Sequence, residues 1–224
     1  MSVKIKKNEP NELKVQIKKT DSVFLNTLRR IMISEIPSLA IDRIHIETNT
    51  SCFHDEFLAH RIGLLPILSE KDIFSIPKQE DCNCNSGCPQ CNFEFLLEKE
   101  NTEDSLLGVY SSDFVPISNI NTSFKLVSFH NSENGILLCK LAKGEKIKLK
   151  CIAIKGTGKE HAKWSPVCTV SYMPEKLPQS SKQRTTEQDN NQNFIMTIET
   201  NGSFTASDIF EKSLTLLKQK IISL

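Results

Sequence analysis

The sequence predicts an α+β fold, and three observations carry that prediction. Apolar residues alternate with lysines and other polar residues at Val3–Lys6, Leu13–Lys18 and Lys146–Cys151. Apolar residues recur at helical spacing after Thr20 and again after Thr205. Between these regions the apolar pattern weakens and four cysteines crowd into the ten residues Cys82–Cys91. A period of two marks half-buried strands, and a three-four spacing marks amphipathic helices.

The totals narrow the function classes. A chain of 224 residues is one domain or two small ones and is long enough to bury a substantial core. A net charge of +1 argues against free nucleic-acid binding, which normally needs a basic excess. One Trp and two Tyr against 12 Phe leave few residues for a base-stacking platform. The start, Met1–Lys6, has no apolar core of a signal peptide, and no stretch reaches membrane-spanning length, so an intracellular chain without membrane association is expected. Thiols stay reduced there, which makes the eight cysteines free thiols or metal ligands rather than a disulfide framework.

In chain order, Val3 and Ile5 and then Leu13, Val15 and Ile17 flank the turn Asn8-Glu9-Pro10-Asn11, predicting a β-hairpin with one face buried and lysines outside. A helix follows from about Thr20. Asp21 or Ser22 caps it, Phe24, Leu25, Leu28, Ile31 and Met32 form its apolar face, and Pro37 forbids continuation beyond Ile36. Arg29 and Arg30 lie in its second half, where cations suit the helix dipole. Ile41–Glu47 alternates again, and Glu56–His60 reads as a second helix stopped by Gly63 and Pro66. Each helix must bury its apolar face in the core or against a partner chain; periodicity does not separate the two.

Phe93, Phe95 and Leu97 predict a strand, and Val109–Val115 a further one. Phe124–Phe129 and Gly135–Leu141 flank an Asn-Gly hairpin signal. Lys146, Lys148 and Lys150 line one face of the next strand, as a solvated face or as charges guarding a sheet edge. Pro174–Asn193 is polar, lacks an apolar period and reads as a flexible loop or linker. Phe194, Met196 and Ile198 form a strand, and Thr205 with Asp208 caps a last helix. On it Phe210, Leu214, Leu217, Ile221 and Leu224 recur at four-three steps, a coiled-coil-like seam that implies a packing partner.

Cys82, Cys84, Cys88 and Cys91 follow the pattern C-x-C-x3-C-x2-C among turn formers Asn83, Asn85, Gly87 and Pro89. Four thiolates so placed wrap one soft cation tetrahedrally, and four protein ligands leave no open position, so one structural Zn2+ is expected. Idle thiols, a redox pair at Cys88 and Cys91, and an iron–sulfur cluster are the alternatives. Cys139, Cys151 and Cys168 lie in apolar strand-like runs and read as small buried hydrophobes, while Cys52 has no assignable role.

Two motifs mislead. Gly156-Thr157-Gly158-Lys159 looks like the end of a phosphate loop, yet no glycine precedes Gly158 by five residues and Pro166 cuts short any helix. His161 beside the single tryptophan, Trp164, suggests a catalytic cluster, yet no nucleophile stands in a matching motif, and a packed or hydrogen-bonded histidine is expected.

The stretch Lys155–Pro166 resembles the signature loop of the α-like subunits of RNA polymerase. Asn26-Thr27-Leu28-Arg29-Arg30, Ile41-Asp42, Glu47-Thr48-Asn49-Thr50 and Asp55–Pro66 resemble that family in the same order. Within it, the four-cysteine loop resembles the third-largest subunit of eukaryotic RNA polymerase II. The resemblance implies a discontinuous α-like dimerisation domain of a sheet plus two helices, at about 1–41 and 170–224, and a mainly β insert domain at about 42–169 with the zinc loop at 82–91.

It further implies a non-catalytic, nuclear scaffold subunit in mRNA transcription. The expected partners are a smaller α-like subunit as heterodimer mate, the second-largest subunit and small zinc-bearing subunits, with little or no direct DNA contact. Phe24, Leu28, Arg30, Ile31, Met32, Phe210, Leu214, Leu217 and Ile221 are the expected interface and core positions. Arg29, Arg30, His60, Arg61, Lys159, His161 and Lys163 are candidates for charged contacts to neighbouring subunits. The rival classes are a free zinc-stabilised nucleic-acid-binding module and a thiol oxidoreductase using Cys88 and Cys91.

Overall fold

A computed structural model describes residues 1–69, 71–84, 87–117, 135–175 and 192–223. The expected Phe124–Phe129 strand, the Asn-Gly turn up to Asn134, most of the polar Pro174–Asn193 stretch and Leu224 lie outside the described residues. The fold is α+β. In chain order the elements begin β1 (Ser2–Asn8), β2 (Glu12–Thr20), α1 (Ser22–Ser34), β3 (Pro37–Asn49), α2 (Asp55–Gly63) and β4 (Asn92–Glu100). They continue β5 (Leu107–Tyr110), β6 (Val115–Pro116), β7 (Leu137–Leu141), β8 (Lys146–Thr157), β9 (Val167–Pro174), β10 (Gln192–Thr200) and α3 (Ala206–Ile222). Short 3-10 turns occupy Lys71–Phe74, Ser111–Asp113 and Ala162–Trp164.

The chain forms two compact units, one from Met1–Ile36 with the stretch after Ser165, the other from Pro37–Trp164. The sequence-based boundaries stood at 41/42 and 169/170. They shift because β3 pairs with β8 from Pro37↔Thr157 onward, so the start of β3 is held by the second unit.

In the first unit an antiparallel sheet runs β1-β2-β10-β9. Val15 faces Met196 and Leu13 faces Ile198, and the fully buried Leu25, Leu28, Ile31 and Met32 of α1 complete the core with Ile209 of α3. Asp21 Oδ1 accepts from the Phe24 N–H at 2.8 Å and starts α1. β1 departs from the hairpin expectation: Val3 and Ile5 are exposed, because α3 packs over β2 and β10 and α1 over β9, while β1 lies at the opposite edge of the sheet. Gln16, on the lysine-bearing parity of β2, is buried, and its amide is satisfied by donating to the Glu175 carboxylate at 2.6 Å. Cys168, expected buried, is exposed on the edge strand β9.

In the second unit the main sheet runs β3-β8-β4-β6, with β5 and β7 paired separately. β8 is central, so its lysines do not guard an edge. They form cross-strand ion pairs, Lys148 with Glu47 at 3.0 Å and Lys150 with Glu94 at 2.9 Å. The opposite parity, Ile147, Leu149, Cys151 and Ala153, is buried with Phe93, Phe95 and Leu97 of β4. Leu58 and Ile62 of α2 are buried, and Arg61 is turned inward: its guanidinium donates to Leu137 O at 3.0 Å and Leu138 O at 3.1 Å. Phe53 and Phe57 lie beneath it, each centroid 5.9 Å away.

Candidate metal centre, signature loop and helix faces

The loop between the turn at Lys71–Phe74 and β4 brings Cys82, Cys84, Cys88 and Cys91 together, all four sulfurs lying within 4.8 Å of one another. Cys82 and Cys88 are 3.6 Å apart, Cys84 and Cys91 3.6 Å, and Cys88 and Cys91 3.8 Å. Zn–S bonds of about 2.3 Å in a tetrahedron put sulfurs about 3.8 Å apart, so the donor set fits one zinc ion. These separations are far above the roughly 2.05 Å of a disulfide. A redox pair needs two cysteines; convergence of four is what a cation needs.

The backbone makes this convergence. Gly87 adopts φ +104°, where a side chain is strained, and a Cβ there would collide with the Asn92 amide. The Cys91 N–H donates to Cys88 O at 3.0 Å and the Cys88 N–H points to Cys91 Sγ at 3.4 Å, the tight turn of the C-x2-C half. Backbone N–H donation at Gln90 lowers Cys88 to about 7, whereas the adjoining Cys84 and Cys88 thiols push Cys82 up to about 12. A cation resolves this crowding by taking the place of the protons. It would be held by these four residues and would supply a cross-link, not an open coordination position.

Two residues outside the loop support it. Arg43 of β3 donates to Gln79 Oε1 at 2.9 Å. Assigned in the amide orientation that gives both its atoms a partner, the Asn92 side-chain oxygen accepts from the same guanidinium at 3.3 Å and its nitrogen donates to Cys91 O at 3.3 Å. Sequence reasoning passed over Arg43, Gln79 and Asn92, since nothing local links position 43 to position 92.

The signature loop is a packing device. Trp164 is buried, its indole N–H donating to Ile154 O at 3.1 Å and its carbonyl accepting from the Ser38 hydroxyl at 2.6 Å. Lys163 stands 4.3 Å over the indole ring and pairs with Asp42 at 2.6 Å. Asp42 is free to do so because the register slips between Ile41 and Arg43, a bulge that re-aims its side chain. Lys163 and Arg61, two of the candidates for contacts to neighbouring subunits, are engaged within their own chain. His161 is exposed, its Nδ1 accepting from the Lys163 N–H at 3.1 Å, and Glu160 binds Lys78. Gly156 and Thr157 finish a strand and precede no α-helix, so the phosphate-loop likeness has no structural counterpart.

The expected interface residues fall into two groups. Leu28, Ile31 and Met32 are core. Phe24, Phe210, Leu214 and Leu217 are half-buried, and Arg30 and Ile221 are exposed. The face that α3 buries is Ala206, Ile209 and Ser213, so the four-three seam lies beside the packed face rather than on it. Lys220 of α3 reaches Glu35 at the end of α1 at 2.6 Å. A groove of about 470 Å³ beside α1 is lined by Val23, Asn26, Thr27, Arg30, Ile31 and Tyr172 among others.

Residues 43–173 match a family model described as the RNA polymerase Rpb3/RpoA insert domain. The chain is 40% identical over 181 residues to subunit 3 of the DNA-directed RNA polymerases II, IV and V of Arabidopsis thaliana, covering 77% of this chain and 56% of that one. It is 43% identical over 160 residues to RNA polymerase II subunit rpb3 of Dictyostelium discoideum, covering 68% and 51%. It is 36% identical over 174 residues to the polymerase subunit Rpo3 of Methanosphaera stadtmanae, covering 77% and 60%. The chain thus spans between about half and three-fifths of the length of these relatives. On a family match that takes in the metal loop, the signature loop and most of β9, the chain belongs to the Rpb3/RpoA family of RNA polymerase subunits.

Proposed function

We propose that the chain is a non-catalytic assembly subunit of a nuclear RNA polymerase II. In this reading α1 and α3 form a heterodimer with a smaller α-like subunit. The pair then docks the second-largest subunit and small zinc-bearing subunits, with little or no contact to DNA, and the cysteine loop holds one structural zinc.

The observation that carries the reading is the apolar surface of the two helices. Val23 is 71% exposed on α1, and Ile221 and Ile222 are 64% and 73% exposed on α3. They continue the half-buried Phe24, Phe210, Leu214 and Leu217. Large apolar side chains left exposed on helices, at both the start of α1 and the end of α3, are the usual mark of a protein-binding surface.

The test is capture of the tagged chain from its own cells, read by mass spectrometry. Recovery of both large polymerase subunits with a small α-like partner is expected. Recovery of the chain alone, or with nucleic acid and no polymerase subunit, overturns the reading in favour of an independent zinc module.

A further inference from the structure

The metal centre has a support that belongs to no ligand set. β3 bulges at Asp42, so Arg43, and not Asp42, stands opposite Ile152 of β8, which in turn stands opposite Glu94 of β4. Residues directly opposite across a sheet share a face, and Asn92, two residues before Glu94, shares it too. The bulge thereby aims Arg43 across β8 toward the residue that follows the last cysteine. Its guanidinium reaches Asn92 on that side at 3.3 Å and Gln79, which precedes the first cysteine, at 2.9 Å. One side chain thus grips both ends of the loop.

The charge pattern around Arg43 is as telling. The strand carboxylates nearest it in register pair with lysines, Asp42 with Lys163, Glu47 with Lys148 and Glu94 with Lys150, while Glu80 and Asp81 follow Gln79 in the loop. No ion pair to Arg43 occurs among the described residues, and the acceptors described for it are neutral amide oxygens. A planar fork with several fixed donors suits two amides held apart, which a lysine ammonium does not. Four thiolates around a divalent cation carry a net charge of about −2, counting each thiolate as −1. A guanidinium held against Asn92, the residue after the ligand Cys91, brings to such a centre the positive charge it lacks.

We propose that Arg43 is the positioning residue of the metal centre: it fixes the two ends of the cysteine loop through Gln79 and Asn92 and offsets the charge of a metal tetrathiolate. This rests on the zinc reading of Cys82, Cys84, Cys88 and Cys91. Groups that orient and polarise ligands from outside typically govern metal retention by about 10-fold to 100-fold.

The test uses the full chain loaded with zinc, and R43M and R43K made in it. Zinc release to a chromogenic chelator is timed, Co2+ is substituted for its thiolate charge-transfer bands, and amide exchange is followed over 78–92. Faster release from R43M by about 10-fold or more, with partial recovery in R43K and exchange changes confined to the loop, is expected. Q79A removes one grip and leaves the strand intact; it should release zinc faster than the parent, and serves if R43M does not fold. Release from R43M and Q79A at the parent rate overturns the role of Arg43 while leaving the zinc site standing. A parent chain that binds no zinc and shows no thiolate–cobalt bands overturns the zinc reading and this inference with it.

Discussion

Trp164 shows how one side chain imposes demands on its neighbours. An ideal Cβ on Gly156 would sit 2.5 Å from the indole, so the ring needs glycine beneath it. G156A is expected to lower stability by about 1–3 kcal/mol, the usual cost of overpacking. The fluorescence of the single tryptophan during urea unfolding checks this. The thiols offer a second residue-scale test. Burial pushes Cys151 up to about 12 and Cys139 up to about 11. Thiolate is the form that alkylates, and a thiol stays neutral below its pKa, so both should resist iodoacetamide at pH 8. In the zinc-loaded chain Cys52 should label first and Cys168, whose thiol burial also pushes up, more slowly. After chelation the four loop cysteines should join them, as mass spectrometry of the peptides would record.

At the scale of elements, the helices separate core from contact surface in a way that substitution can read. L28A removes a fully buried side chain and should cost about 2–5 kcal/mol in the isolated chain. I221E alters a side chain 64% exposed, and should change stability by no more than about 0.5 kcal/mol while abolishing recovery of the small α-like partner. Loss of binding without loss of stability is the signature of an interface. Removing the metal should raise amide exchange across the cysteine loop and leave β4 and β8 protected, since their pairing from Asn92↔Ile154 to Glu100↔Lys146 does not depend on it.

Elements were also where the sequence was most and least legible. The caps at Asp21 and Thr205, the alternation in β2, β4, β8 and β10, and the four cysteines are all local patterns, and local patterns are visible in a linear text. The inward face of α3 was not, because the small Ala206 and Ser213 pack it while larger residues beside them carry the more conspicuous period. The bulge at Asp42 was invisible for a different reason: it exists only in the pairing of β3 with β8, about a hundred residues away. Asp42, Arg43 and Asn92 owe their roles to that pairing, so no local reading finds them.

For the whole molecule, the balance of charge makes a prediction of its own. With a net charge of +1, the isolated chain should bind duplex DNA weakly and without the steep salt slope of a protein that neutralises many phosphates. Fluorescence anisotropy across a salt series measures that slope. A slope matching six or more phosphate contacts would favour the nucleic-acid module over the scaffold.

The discontinuity of the first unit has a consequence for synthesis. β2 leaves the ribosome before the second unit, yet its neighbour β10 follows only after the whole of that unit has been made. The second unit is contiguous, so it is free to fold while translation continues, as units in multidomain chains generally do. Leu13, Val15 and Ile17, buried in the finished sheet, lack their β10 neighbours through that interval. Closure of the helix-bearing sheet therefore follows synthesis of the second unit, and in the proposed reading it completes the face for the α-like partner. A nascent chain halted before β10 would thus carry the complete cysteine loop but lack the proposed partner face, so partner recruitment would select chains in which both units are made.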